Sequence, residues 1–166
     1  MFRPLAEWIA RTDLSVILQS HMWIVPTSQS IHIISVGVLF TSALVINARI
    51  LGIGSTGRTV PQLFDALVPW MWAALAVLVV TGTAQTIAEP VRQFVAPVFW
   101  AKMAMIVIVV VTTRLFVAQI RAHARDWSAG STPSPGARVF AIGSSLLWIA
   151  IIVCGRMIGY TSALYQ

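Results

Sequence analysis

Apolar residues dominate four long stretches of the chain, at about Thr27–Ile50, Ala66–Ala88, Pro97–Ile120 and Ala137–Tyr160. A helix needs roughly 20 such residues to cross a bilayer, and each stretch supplies them. Val, Ile and Thr are frequent in all four, yet in lipid only a helix satisfies its own backbone along an open segment, so these are read as helical spans. Polar and helix-breaking residues divide them: Pro26 followed by Thr27, Ser28 and Ser30; Glu89-Pro90; and Ser134-Pro135-Gly136. Before Pro26 the pattern shortens. Asp13 is a good N-cap for Leu14–Leu18, and Gln19, Ser20 and His21 separate that run from Met22-Trp23-Ile24. One or two short helices lying in the membrane interface are expected there, the alternative being an outward extension of the first span kinked at Pro26. The connection at 90–96 is short, which predicts that the second and third spans are antiparallel neighbours, whereas 121–136 reads as a flexible aqueous loop. The fold class expected is all-α: an integral membrane four-helix bundle in one domain, preceded by short interfacial helices at residues 1–26.

Composition removes the soluble alternative. The chain is 58% hydrophobic and 10% charged, against about 25% charged for a soluble domain, and no water-facing surface can be built from that mixture. The formal charge of +6 would point to nucleic acid in a soluble protein. Here the basic residues flank apolar runs, which suits anionic lipid headgroups and excludes nucleic acid as a partner. Arg49, Arg58, Arg114, Arg121, Arg125 and Arg138 fall on one side; the positive-inside bias then makes that side cytoplasmic and both termini periplasmic, in a bacterial inner membrane. No basic segment feeds an apolar run at the N-terminus, so no signal peptide is expected. Trp8, Trp23, Trp70, Trp72 and Trp100 fit aromatic belts, but Trp148 lies near the middle of the fourth span, where it packs inside, faces a ligand or meets a partner helix.

Ionisable groups inside spans are costly and each needs a reason. His32, Lys102 and Arg156 sit in three different spans at one depth in the outer half, with Glu89 at the end of the second. Such a layer could hold heme b or a quinone. The plain alternatives are a hydrogen-bonded structural histidine and snorkelling cations. On one helix His21 and His32 would stand about 16 Å apart, too far to share an iron, and His123 belongs to the aqueous loop; His32 would need Lys102 or Met103 as its companion ligand. Copper bound by His21, Met22, His32, Met103, Met105 and Met157 is a weaker alternative. The single cysteine, Cys154, rules out an internal disulfide and reads as a small filler. Nothing resembles a hydrolase triad, a phosphate loop or a carboxylate pair. Gly37, Gly82, Gly143 and the Gly155–Gly159 step permit close helix approach, within the bundle or to a partner helix.

Five phrases occur in order: Ser20-His21-Met22-Trp23-Ile24-Val25-Pro26, Ile31-His32 leading to Asn47-Ala48-Arg49-Ile50-Leu51-Gly52, Pro69-Trp70-Met71-Trp72, Phe99-Trp100-Ala101-Lys102, and Gly155-Arg156-Met157-Ile158-Gly159-Tyr160. In this order the chain resembles a family of small four-span bacterial inner-membrane proteins with no assigned function. More distantly it is similar to the heme-b membrane protoporphyrinogen oxidase and to the copper-resistance D-type membrane proteins, a likeness that would map function onto His32 and Lys102. The expectation drawn is an accessory, non-catalytic subunit of a larger membrane complex, respiratory or otherwise redox, with other membrane subunits as partners. A heme-b redox protein or porphyrinogen oxidase is the alternative, and a copper or small-solute carrier a weaker one.

Overall fold

The protein is described from a computed structural model, at residues 2–54, 57–122 and 134–161. Among the described residues seven helices follow one another: α1 (Arg3–Ala10), α2 (Asp13–Ser20), α3 (Ile24–Ile50), α4 (Val60–Ala88), α5 (Pro90–Val95), α6 (Pro97–Ala122) and α7 (Pro135–Thr161). Four of them, α3, α4, α6 and α7, are long and apolar enough to cross a membrane. With 29 residues, α4 is about 43 Å long and its ends emerge beyond a hydrocarbon core of about 30 Å. The all-α, multi-pass membrane architecture follows directly from these elements.

Local chemistry sets the boundaries. The N-terminal segment forms two helices, with Thr12 accepting from the Ser15 backbone N–H at 3.4 Å as the N-cap of α2. Pro26 falls in the first turn of α3, where an amide hydrogen has no intrahelical partner anyway, so the helix runs through it and His21 stays behind at the end of α2. Helix α4 starts at Val60, ahead of the Ala66 that hydropathy alone indicates. The cause is a capping box: Gln62 Oε1 accepts from Thr59 N at 2.9 Å, and Thr59 Oγ1 from Gln62 N at 3.5 Å. In the loop before it, Gly52 and Gly54 take φ of +79° and +81°, a left-handed backbone that glycine adopts without a Cβ penalty.

Packing makes α3 the central element. It lies along α4 over most of its length and also meets α7, while α6 leans on α7. The backbones of α4 and α6 come close at few points although a short connection joins them, and side chains such as Phe64 and Phe116 bridge the gap. That connection is not a bare turn: α5 fills it and packs on α1, so the ends of α4 and α6 are spaced apart. One apolar cluster gathers Ile46, Ile50, Leu63, Phe64, Phe116 and Ile120 at the arginine-rich end; a second gathers Leu39, Ala43, Ala74, Val109, Trp148 and Ile151 at mid-height. Asn47, 3% exposed, donates from α3 to Ser145 Oγ at 3.0 Å and Ser144 Oγ at 3.4 Å on α7. At the other end, fully buried Ser15 donates to Ile87 O at 2.8 Å and seats α2 against the end of α4. The outer faces remain apolar, with Ile33 and Val80 at 69% exposure and Val139 at 71%, as a hydrocarbon solvent requires.

Candidate functional site

Of the polar layer read from the sequence, His32 and Lys102 lie against neighbouring helices, while Arg156 and Glu89 have partners of their own. His32 of α3 places Nδ1 2.8 Å from Thr81 Oγ1 of α4. The Thr81 hydroxyl has one hydrogen, and with that hydrogen on Val77 O at 2.7 Å the oxygen accepts from His32. The imidazole therefore carries its hydrogen on Nδ1 and holds a lone pair on Nε2. No hydrogen bond to that Nε2 occurs among the described residues. The ring lies against α4 at Gly82, where a β-carbon would stand 3.4 Å from His32 Cε1, in contact with it. Ser28 Oγ, one turn earlier, donates weakly to Thr81 O at 3.4 Å and ties the same two helices.

Lys102 reaches the layer from α6. Its amine lies against α7, where a β-carbon on Gly155 would be 3.6 Å from Nζ and 3.7 Å from Cε. The ammonium is near enough for electrostatic interaction with His32 and with Cys154. No carboxylate within 4 Å pairs with it among the described residues, because Glu89 is committed to Arg92 at 2.7 Å. Both His32 and Lys102 are half-buried.

Arg156, the third candidate, is not drawn into this pair. It is exposed, donates to Tyr160 Oη at 3.2 Å and lies over that ring at 5.3 Å; one helix step from Gly155 turns it about 100° away. His21 stays exposed, bonded to its own helix end through Nδ1 and Ile17 O at 3.0 Å. His123 lies outside the described residues. Among the described residues, no group of three His, Cys, Asp or Glu side chains converges to hold a metal. Of the methionines, Met22 and Met103 are exposed and Met105 packs against the mid-height core. Sequence reasoning passes over Thr81, names Gly82 only as a place for close helix approach, and reads Cys154 as filler. The Thr81-Gly82-Thr83 step, a small polar break in an apolar run, is the signal available for them.

A second feature lies at the other half of the bundle. Because α4 and α6 do not close on each other, a cavity of about 620 Å³ opens between them, with Trp148 among its lining residues. Trp148 is 6% exposed, so it packs inside the bundle, and its Nε1–H has no hydrogen-bond partner among the described residues.

A family model described as a family of unknown function, DUF6644, matches residues 5–161. No curated protein matches the chain, and no solved structure does; the distant likeness to the oxidase and to the copper-resistance proteins has no support from them.

Proposed function

We propose, for a chain that belongs to the DUF6644 family, that this multi-pass membrane protein binds heme b at the His32–Lys102 layer and works in membrane redox chemistry. One observation carries the reading: an imidazole whose Nδ1–H is anchored to Thr81, leaving the Nε2 lone pair free, beside an amine with no counter-ion among the described residues. Metal-binding histidines are typically held this way, the second nitrogen fixed by a hydrogen bond that sets ring orientation. The donor set fits the group: His32 Nε2 suits iron, and Lys102 suits either a second ligand position or an acidic ring substituent. Heme when bound supplies one-electron transfer. Thr81 orients the imidazole, Gly82 and Gly155 leave room for the two side chains, and the surrounding hydrocarbon excludes water. The test is the absorption spectrum of protein purified in mild detergent, oxidised and dithionite-reduced. A Soret band that His32→Ala abolishes and Lys102→Ala shifts or weakens is expected; no band, or one indifferent to His32→Ala, overturns the reading.

The accessory-subunit reading is favoured by a different observation. Gly37 and Gly143 have nothing within 4 Å of where a β-carbon would stand, so neither is used for close packing inside this bundle. Small residues on lipid-facing sides admit a partner helix. An assembly well above 18.1 kDa in mild detergent is then expected; a monomer overturns it.

A further inference from the structure

The side of the bundle between α4 and α6 is one that no other described helix covers. Helix α3 runs along α4, α6 leans on α7, and α3 meets α7, so the four spans form an arc that ends in α4 and α6. Of the four, α6 is the least buried. The cavity of about 620 Å³ lies between the two ends of the arc, with Val68, Pro69 and Leu75 on the α4 side and Val110, Val117 and Ala118 on the α6 side.

Both edges of this opening carry polar or aromatic groups in register. On α4, Asp65 and Trp72 are seven residues apart, about 10 Å, and project from nearly the same face. On α6, Arg114 and Arg121 repeat that step. Contacts across the opening fix the levels. Arg121 lies 3.8 Å from Asp65, and the Arg114 guanidinium stands 5.0 Å from the Trp72 ring centroid. Neither contact uses up its members: Asp65 and Arg121 are 75% and 64% exposed, and Trp72 and Arg114 are exposed as well. One edge thus offers an acid and an aromatic face at two levels, and the other edge a guanidinium at each of the same levels.

The bilayer turns this register into a rule for assembly. Copies of one chain enter the membrane in the same orientation, so a closed pair has its two-fold axis along the membrane normal and every residue keeps its depth. With their open sides facing, two copies set α4 of each beside α6 of the other. Asp65 then meets Arg121 of the second copy, and Trp72 meets Arg114 of the second copy, at the levels each chain already shows. Acid and guanidinium alternate around the axis at one level, ring and guanidinium at the other. A lipid tail answers none of these four groups, whereas a second copy answers all of them.

We propose that the protein forms a two-fold dimer through the open side of the bundle, α4 of each copy against α6 of the other, so that the two cavities face each other across the axis. The dimer uses no residue of the His32–Lys102 layer. It also differs from the assembly drawn from Gly37 and Gly143, which belong to α3 and α7, so each reading can fail alone.

Exchanging charge between copies tests it on the full chain. Two differently tagged chains are co-expressed, one carrying Asp65→Arg and the other Arg121→Asp. The contact between positions 65 and 121 becomes like-charged within each chain and within each like dimer; only the mixed dimer pairs opposite charges between copies. Native mass spectrometry from mild detergent counts the species. The unaltered protein is expected at twice 18.1 kDa. Each variant alone shifts toward monomer, and co-expression restores a dimer whose ratio of mixed to like pairs exceeds the random value about fivefold, as two exposed ion pairs supply. That restoration also shows that both variants fold. Ala118→Trp, at an exposed position on the α6 edge, blocks the approach without touching a charge and gives monomer. Gly37→Leu and Gly143→Leu leave the dimer intact. A monomeric unaltered protein, a mixed-to-like ratio at its random value, a dimer that survives Ala118→Trp, or one lost on Gly37→Leu or Gly143→Leu overturns the proposal.

Discussion

Replacing Thr81 by valine changes one polar atom at nearly constant volume and isolates the anchoring of His32. In the native protein the hydroxyl receives His32 Nδ1–H at 2.8 Å and gives its own hydrogen to Val77 O. Thr81 is 8% exposed, so water does not readily replace it. The valine side chain would leave His32 Nδ1–H without an acceptor, an unsatisfied donor costing about 1–3 kcal/mol. The ring escapes this by moving its hydrogen to Nε2 or by rotating, and either takes the lone pair away from a ligand. Loss of an orienting hydrogen bond typically lowers metal affinity about 10–100-fold, which is about 1.4–2.7 kcal/mol and agrees with the first figure. Heme occupancy measured by pyridine hemochrome, with the Soret position and thermal midpoint in detergent, reads the effect. Thr81→Val is expected to lose occupancy and stability together, and Thr81→Ser, which keeps the hydroxyl, to restore both. A valine variant with unchanged Soret band and occupancy, or a serine variant as impaired as the valine one, refutes the anchoring argument.

Two further substitutions probe the scaffold. Asn47→Leu removes the α3–α7 hydrogen bonds to Ser144 and Ser145, and at about 0.6–2 kcal/mol for interhelical bonds in membranes it should lower the detergent unfolding midpoint without altering any visible spectrum; an unchanged midpoint counts against those bonds. Gly155→Ala should be tolerated, its new β-carbon in ordinary contact 3.6 Å from Lys102 Nζ, whereas Gly155→Val overpacks the site at about 1–3 kcal/mol and displaces the amine; equal behaviour of the two variants in thermal unfolding would show that Lys102 does not lie on that glycine.

Hydropathy reveals spans well because lipid imposes one rule on every residue of a span. It reveals neighbours poorly, and α4 and α6 show why. A short connection between Glu89 and Pro97 reads as a tight hairpin, yet the six residues of α5 fold into a helix of their own and hold the two spans apart. Boundaries shift for a local reason as well, since the Thr59–Gln62 capping box extends α4 through residues that hydropathy assigns to the loop. The site is half visible. His32 and Lys102 stand out because an ionisable group in a span is expensive, and the bundle brings those two to one layer. Arg156 joins them by depth alone, and depth says nothing about rotation around a helix. Thr81 passes unremarked because threonine is ordinary in membrane helices, and Gly82 is visible only as a close-approach position; what α3 presents to them is not written in the sequence.

What separates a functional polar group from a structural one in this bundle is where its hydrogen bonds end. Ser30, Ser35, Ser42, Thr86, Thr112 and Ser145 each return their hydroxyl to a carbonyl four residues earlier, at 2.7 to 2.9 Å. Asn47 finds its acceptors on a neighbouring helix, and Glu89 and Arg92 neutralise each other. In hydrocarbon such closure is the default, because an unmade bond has no water to fall back on. Within the long helices His32 Nε2, the Lys102 amine and Trp148 Nε1–H break the pattern, as the buried Arg92 Nε does in α5. Were they merely tolerated exceptions, they would sit near helix ends and turn outward, as Arg3, Arg121 and Arg156 do. Instead Lys102 lies against Gly155, and Trp148 is 6% exposed. A polar group left open inside the bundle, where closure is the rule, is where a polar ligand would find its contacts within lipid.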